Sequence, residues 1–294
     1  MRPLLLALAA ALGLTGALPG PAAAQVAPRD QTGPAKALFG GVRTPAALPP
    51  AAIGSYAKGC FAGGVELPID GPHWSVMRLS RERNWGHPRL IDFIARFSAQ
   101  APRFGLPGIL VGDMNQRRGG PMLTGHASHQ IGLDVDVWLR PLLPVRPTLR
   151  EREDVSSFDV VEGRHNLDEA LWPQTSRAMI RVAAEDPEVE RIFVNPAIKR
   201  KLCQETHPQD RAWLAKVRPW WAHDAHFHVR LACPADSPLC VRQAAVPAGD
   251  GCGEDLDYWY TEAPYKPADP KAPKAPDLTM EDLPQACRAV LAAP

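Results

Sequence analysis

Two alternating runs stand out in the hydrophobic pattern of the chain. In "GLDVDVWL" the apolar Leu133, Val135 and Val137 alternate with Asp134, Asp136 and Trp138, and in "HFHVRL" Phe227, Val229 and Leu231 alternate with His226, His228 and Arg230. Successive strand side chains point to opposite faces, so each run predicts a strand with aliphatic residues on the core and carboxylates or imidazoles on the other face. "GILVGDM" and "VERIFVN" read as further short strands. Helical spacing appears in "HPRLIDFIARFSAQ" through Leu90, Ile91, Ile94 and Phe97, and in "WPQTSRAMIRVAAED", where Pro173 lies near a helix start and Met179, Ile180 and Ala183 share a face. The strands are too few per helix for a doubly wound parallel sheet.

Both ends of the chain lack such periodicity. Residues 1–24 are expected to be a secretory signal peptide: Arg2 precedes an apolar run that breaks at Pro19 and Gly20, and Ala22, Ala23 and Ala24 offer a small-residue cleavage site. That run falls short of the roughly 20 residues a spanning helix needs, and no later segment is apolar and long enough to cross a membrane. Residues 25–54, rich in Ala, Pro and Gly, read as a poorly ordered arm before a compact domain over residues 55–264. The Pro-rich tail, residues 265–294, has the composition of an extended solvated segment, and Cys287 near its end suggests that it is tied back to the body.

Composition narrows the function. A chain of 294 residues, 45% hydrophobic and 22% charged, suits an ordinary globular protein, and a net charge of +1 without a long basic run gives no support to a nucleic-acid partner. The cysteines Cys60, Cys203, Cys233, Cys240, Cys252 and Cys287 are even in number and form no C-x-x-C pair, which in an exported chain reads as disulfides rather than a zinc cluster. Their pairing is open at this level, although Cys233 and Cys240 flank the turn-rich "PADSPL" and make the easiest local bridge.

Five of the nine histidines lie in two short segments that lead into the alternating strands. His126 and His129 sit in a loop that Gly125 and Gly132 allow to turn tightly, six residues separate His129 from Asp136, and His226 and His228 project from one face with His223 just before them. A catalytic zinc takes about three protein ligands from His, Asp or Glu and leaves one position open. His129, Asp136 and His228 supply that set, with His126 close to the first. Asp134 reads equally well as a supporting partner or as an exposed strand residue.

With these residues in view, "SYAKGC", "MRLSRERNWGHPRLIDFI", "GDMNQRRGGPMLTGHASHQIGLDVDVWL", "RIFVNPAIKRKLC" and "VRPWWAHDAHFHVRLACP" together resemble the penicillin-insensitive murein endopeptidases. These are periplasmic enzymes of the lysostaphin, D-Ala-D-Ala metallopeptidase and hedgehog fold group. The resemblance implies an α+β fold in which a small antiparallel sheet carries a zinc site, flanked by helices and disulfide-tied loops. It implies one zinc on His129, Asp136 and His228, with His126 in the same metal region, and His226 as the catalytic histidine with His223 as helper. It implies disulfides Cys60–Cys287, Cys203–Cys252 and Cys233–Cys240. The family's second metal position, an Asp-x-x-His pair, reads "EGRH" here; Glu162 beside His165 keeps the charge but moves the ligand atom, and a solvated loop is the preferred reading of the pair.

The implied reaction is hydrolysis of peptidoglycan peptide stems at the D-alanyl to meso-diaminopimelyl cross-link. A D,D-carboxypeptidase or dipeptidase on the same fold would share the ligands. A non-catalytic zinc-containing cell-wall binding module is disfavoured, because a structural zinc closes all four positions with protein groups and leaves no role for His226. "SYAK" at Ser55 to Lys58 fits the S-x-x-K of serine penicillin-binding enzymes, but neither an S-D-N-like nor a K-T-G-like element accompanies it, and no H-E-x-x-H string occurs. Trp220 and Trp221 read as cleft walls or as core, and Arg117 and Arg118 as partners of substrate carboxylates or as ordinary loop residues.

Overall fold

The computed structural model describes residues 31–267, 269, 273 and 275–294. The expected signal peptide and the first residues of the arm lie outside this range. A seven-stranded sheet forms the centre, in the order Val217–Pro219, Val189–Val194, His226–Leu231, Asp134–Trp138, Ile109–Val111, Trp74–Val76 and Asp70–Gly71. The fold is therefore α+β, but the sheet is neither small nor wholly antiparallel. Val189–Val194 runs parallel to Val217–Pro219, and Trp74–Val76 parallel to Ile109–Val111. A parallel pair needs a long crossover, and the helices Pro196–Glu205 and Pro88–Ser98 supply the two. Three-residue strands such as Trp74–Val76 are too short to show alternation, which is why the sheet is larger than its readable strands.

The Pro88–Ser98 helix starts where its sequence says it should. His87 is extended, its Nδ1 accepts from Arg89 N at 3.3 Å, and Pro88 occupies the first turn, where its missing N–H costs nothing. Leu90, Phe93, Ile94 and Phe97 form its buried stripe. Gln174–Glu185 likewise buries Met179, Ile180 and Ala183. Both pack into one core with Val135, Val137, Phe227 and Val229 of the central strands.

A second, smaller core corrects the reading of the arm. Over residues 31–54 the chain is packed: Ala35–Gly40 is a helix that buries Ala35 and Phe39, and Ala51–Ser55 pairs with Lys58–Ala62 in a hairpin. Met280, Leu283, Val290 and Leu291 from the end of the chain complete this core. A helix of barely two turns shows no periodicity of its own, and its partners lie about 250 residues away in sequence, a span that no local pattern reports. Fully buried Arg118 locks the junction by donating to the carbonyls of Thr44, Val290, Leu291 and Ala293. Disulfides join Cys60 to Cys287, Cys203 to Cys252 and Cys233 to Cys240.

Candidate active site

Strand register places the site. Across the antiparallel pair of His226–Leu231 and Asp134–Trp138, His228 stands opposite Asp136 and Arg230 opposite Asp134, so their side chains are nearest neighbours on one face. His129 reaches them from the preceding loop with φ +60°. Its backbone N–H donates to Asp134 Oδ2 at 3.0 Å and its Nδ1 lies 2.7 Å from the Met114 carbonyl. Since a carbonyl only accepts, Nδ1 carries the proton and Nε2 presents a lone pair. Gly132, at φ +80°, closes the turn; a Cβ there would come within 2.9 Å of both His87 N and the Phe61 ring.

Three atoms then converge. His129 Nε2 is 3.1 Å from His228 Nδ1 and 3.4 Å from Asp136 Oδ1, and His228 Nδ1 is 3.3 Å from Asp136 Oδ1. Asp136 Oδ1 is buried and accepts no hydrogen bond. Such an approach needs either a proton shared between the two imidazoles, as in a His228 Nδ1–H to His129 Nε2 hydrogen bond, or a metal ion. Ligand bonds of 2.0–2.1 Å in a tetrahedron separate ligand atoms by about 3.3 Å, so the triangle has metal-site dimensions. On the other oxygen, His126 Nε2 and His226 Nε2 lie 3.5 Å and 3.7 Å from Asp136 Oδ2. His126, His129 and Asp136 also form a convergent group, but His126 Nε2 is closer to Asp113 Oδ2, at 3.0 Å. The shorter, mutually facing set is His129, Asp136 and His228.

Asp134 is fully buried, which removes the exposed-strand alternative. Arg230 Nε and Nη2 clamp its two oxygens at 2.8 Å and 3.1 Å, and Oδ1 lies 3.1 Å from His228 Nε2, an ion-pair distance without hydrogen-bond alignment. A carboxylate behind a ligating imidazole fixes the ring and its tautomer. Burial would raise the Asp134 and Asp136 pKa values, but the cations around them win: Arg230 and His228 hold Asp134 well below the carboxylate range, and His226, His129 and His126 do so for Asp136. Burial pushes His129 down, whereas at His228 Asp134 outweighs burial and raises it. His223 falls to about 3 through burial and the neighbouring His226 and His228.

Two clefts border these residues. One of about 550 Å³ is walled by Tyr56, Phe193, Trp220, His223 and His228; the other, about 160 Å³, by Arg81, Asp113, His126, Asp136 and His226. Trp220 and Trp221 are each 44% exposed, so the cleft-wall reading suits Trp220, while Trp221 donates to the Pro264 carbonyl. Arg118 is structural, and Arg117 is held by both oxygens of Glu82. In "SYAK" the Ser55 hydroxyl accepts from Lys58 N, an ordinary turn contact.

A family model for the penicillin-insensitive murein endopeptidases matches residues 52–292. Curated relatives of that name include one from Haemophilus influenzae, 48% identical over 73% of this chain and 74% of its own, and one from Shigella sonnei, 46% identical over 81% and 85%. An Escherichia coli relative of the same name is also 46% identical over 81% of this chain and 85% of its own. The chain belongs to the penicillin-insensitive murein endopeptidases.

Against the family pattern, the second metal position is not assembled among the described residues. Glu162 is exposed, and His165 Nε2 is 2.9 Å from the Trp259 carbonyl and 3.2 Å from Tyr265 Oη, with its ring stacked on Tyr260. Among the described residues, no convergent group of His, Cys, Asp and Glu includes either of them. Two residues that sequence reading passed over brace the site of this endopeptidase. Asp113 Oδ2 takes His126, Arg81 and Arg83 together, and these contacts outweigh its burial to bring its pKa to about 2. Asn195 caps the Pro196–Glu205 helix through Ala197 N while its N–H and Nδ2 hold the carbonyls of His223 and Ala222, both of which have positive φ. The "GDM" and "VERIFVN" strings read only as strand segments, and Asn before Pro196 is a cap signal that says nothing of these contacts.

Proposed function

We propose that this peptidase is an exported zinc enzyme that hydrolyses the D-alanyl to meso-diaminopimelyl cross-links of peptidoglycan in the periplasm, independently of penicillin. The observation that carries the reading is the triangle of His129 Nε2, Asp136 Oδ1 and His228 Nδ1, with edges of 3.1–3.4 Å and an oxygen without a donor. Two imidazoles and one carboxylate suit zinc better than magnesium or calcium. When bound there, zinc would supply an electrophile for the scissile carbonyl and acidify a water toward neutral pH. The family's further position at Glu162 and His165 is not part of the proposal.

The chain's own residues then divide the work. His226, at the mouth of the smaller cleft, takes the proton of the attacking water and returns it to the leaving amine. His223, neutral and donating Nδ1–H to the Trp221 carbonyl at 2.7 Å, turns its Nε2 lone pair to the cleft as a second acceptor. His126, held by Asp113, borders the metal region. Clefts on both sides of the site suit a substrate chain that continues in both directions, as a cross-link does and the end of a stem does not. Export is supported by the N-terminal pattern and by three disulfides, which persist in oxidising compartments; no helix among the described residues is long and apolar enough to cross a membrane.

The test is incubation of the protein with purified sacculi, with chelator and with benzylpenicillin, followed by mass spectrometry of the muropeptides. Cross-linked dimers disappear, chelator stops the loss and penicillin does not. Release of terminal D-alanine alone would establish a carboxypeptidase, and unchanged dimers a binding module.

A further inference from the structure

We infer that Arg81 recognises the carboxylate adjoining the scissile amide on its leaving-group side; the inference rests on the substrate reading above. In a D-alanyl to meso-diaminopimelyl cross-link, the carbon bearing the acylated nitrogen also bears a carboxylate. An enzyme that cuts this bond therefore meets an anion immediately beside the atom it releases. The smaller cleft, which opens at Asp136 and His226, is lined by two guanidinium groups, Arg78 and Arg81, with Arg83 behind them on Asp113.

Their donors are not equally committed. Arg78 is spent on the carbonyls of Arg152, Glu153 and Val155, with its guanidinium over the Trp138 ring. Arg83 divides itself between Asp113 and Thr124, and only 11% of its side chain is exposed. Arg81 places Nη1 3.0 Å from Asp113 Oδ2 and lies within the electrostatic reach of Glu153, but makes no other side-chain hydrogen bond among the described residues; 48% of its side chain is exposed. Nε and Nη2 thus remain for a ligand, in the planar fork that matches a carboxylate. Asp113 cannot cancel the charge of this wall, because Arg81, Arg83 and His126 share the same oxygen.

The same chain of contacts sets the reach. Arg81 touches Asp113, Asp113 touches His126 at 3.0 Å, and His126 lies 3.5 Å from Asp136 Oδ2. A carboxylate seated on Arg81 therefore stands beside the reacting position rather than at a remote subsite. Of the three arginines on the wall of the larger cleft, Arg230 is consumed by Asp134 and Arg191 donates to the Ala244 carbonyl; Arg242 also lines it, but only Arg81 is joined through Asp113 to His126 at the site.

The experiment compares two cross-linked muropeptide dimers that differ only in whether this carboxylate is free or carried as the primary amide. The wild type favours the free acid. Arg81→Ala lowers kcat/KM on the free acid by about 10- to 100-fold, mainly through KM, the range of a lost charge-assisted contact. On the amide it changes little, and Arg81→Lys is intermediate on the acid. The amide substrate and an unchanged metal content show that the variant is folded with its site intact. An equal loss on both substrates overturns the inference by making Arg81 a structural partner of Asp113, and so does the absence of any loss on the acid. A wild type that cleaves neither dimer overturns the substrate reading, and the role of Arg81 with it.

Discussion

Asp134→Asn is the most informative single perturbation of the site's foundation. The substitution keeps the shape and an acceptor for His129 N, at 3.0 Å in the wild type, but removes the charge that faces Arg230 at 2.8 Å and 3.1 Å. Arg230 is 5% exposed, so its guanidinium is left largely desolvated beside the Tyr56 and Phe193 rings and a neutral amide. Breaking one partner of a buried pair costs about 3–5 kcal/mol, which for a protein of this size lowers the unfolding midpoint on the order of 10 °C. Arg230→Met costs about as much, because it strands the opposite charge. The double variant Asp134→Asn/Arg230→Met removes both charges, and about 1–2 kcal/mol is the expected cost, less than either single change. Thermal or urea unfolding at neutral pH with the disulfides oxidised measures all three. Singles that simply add in the double variant would refute the buried pair as the interaction that matters.

Three further outcomes follow from other parts of the molecule. His226→Ala should retain bound metal and lose turnover, while His228→Ala loses the metal; equal metal loss in both, by elemental analysis, would overturn their division of roles. Removing Cys60–Cys287, a separation of 227 residues, should destabilise more than removing Cys233–Cys240, a separation of 7, at about 5 against about 2 kcal/mol in the chain-entropy account; midpoints in the reverse order would reject it. Lys199 is fully buried on the carbonyls of Leu214 and Asp250, and burial with nearby Arg218 lowers its pKa to about 7. Between that value and about 10 the unfolded chain binds the extra proton, so stability rises with pH by at most about 1.4 kcal/mol per unit. Lys199→Met should lack this rise, and parallel pH–stability curves for the two proteins would exclude it.

Much of the site is legible in residue order because strand alternation is a local property. The pattern of "LDVDVW" and "HFHVRL" tells which residues share a face, and the loop glycines tell how His129 can approach, without knowledge of any partner. The two amphipathic helices are readable for the same reason. What alternation cannot report is the neighbour across the sheet. The register that sets His228 against Asp136 and Arg230 against Asp134 joins segments some ninety residues apart, and it alone decides that Asp134 is a buried counter-charge rather than a solvated one. A polar side chain reads identically in either setting, which is also why Arg118 resembles a loop arginine in sequence and yet holds the ends of the described chain together. The helix at Ala35–Gly40 and the full extent of the sheet were hidden for a related reason: their elements are too short to carry a period, and their stability comes from surface buried against distant parts of the chain.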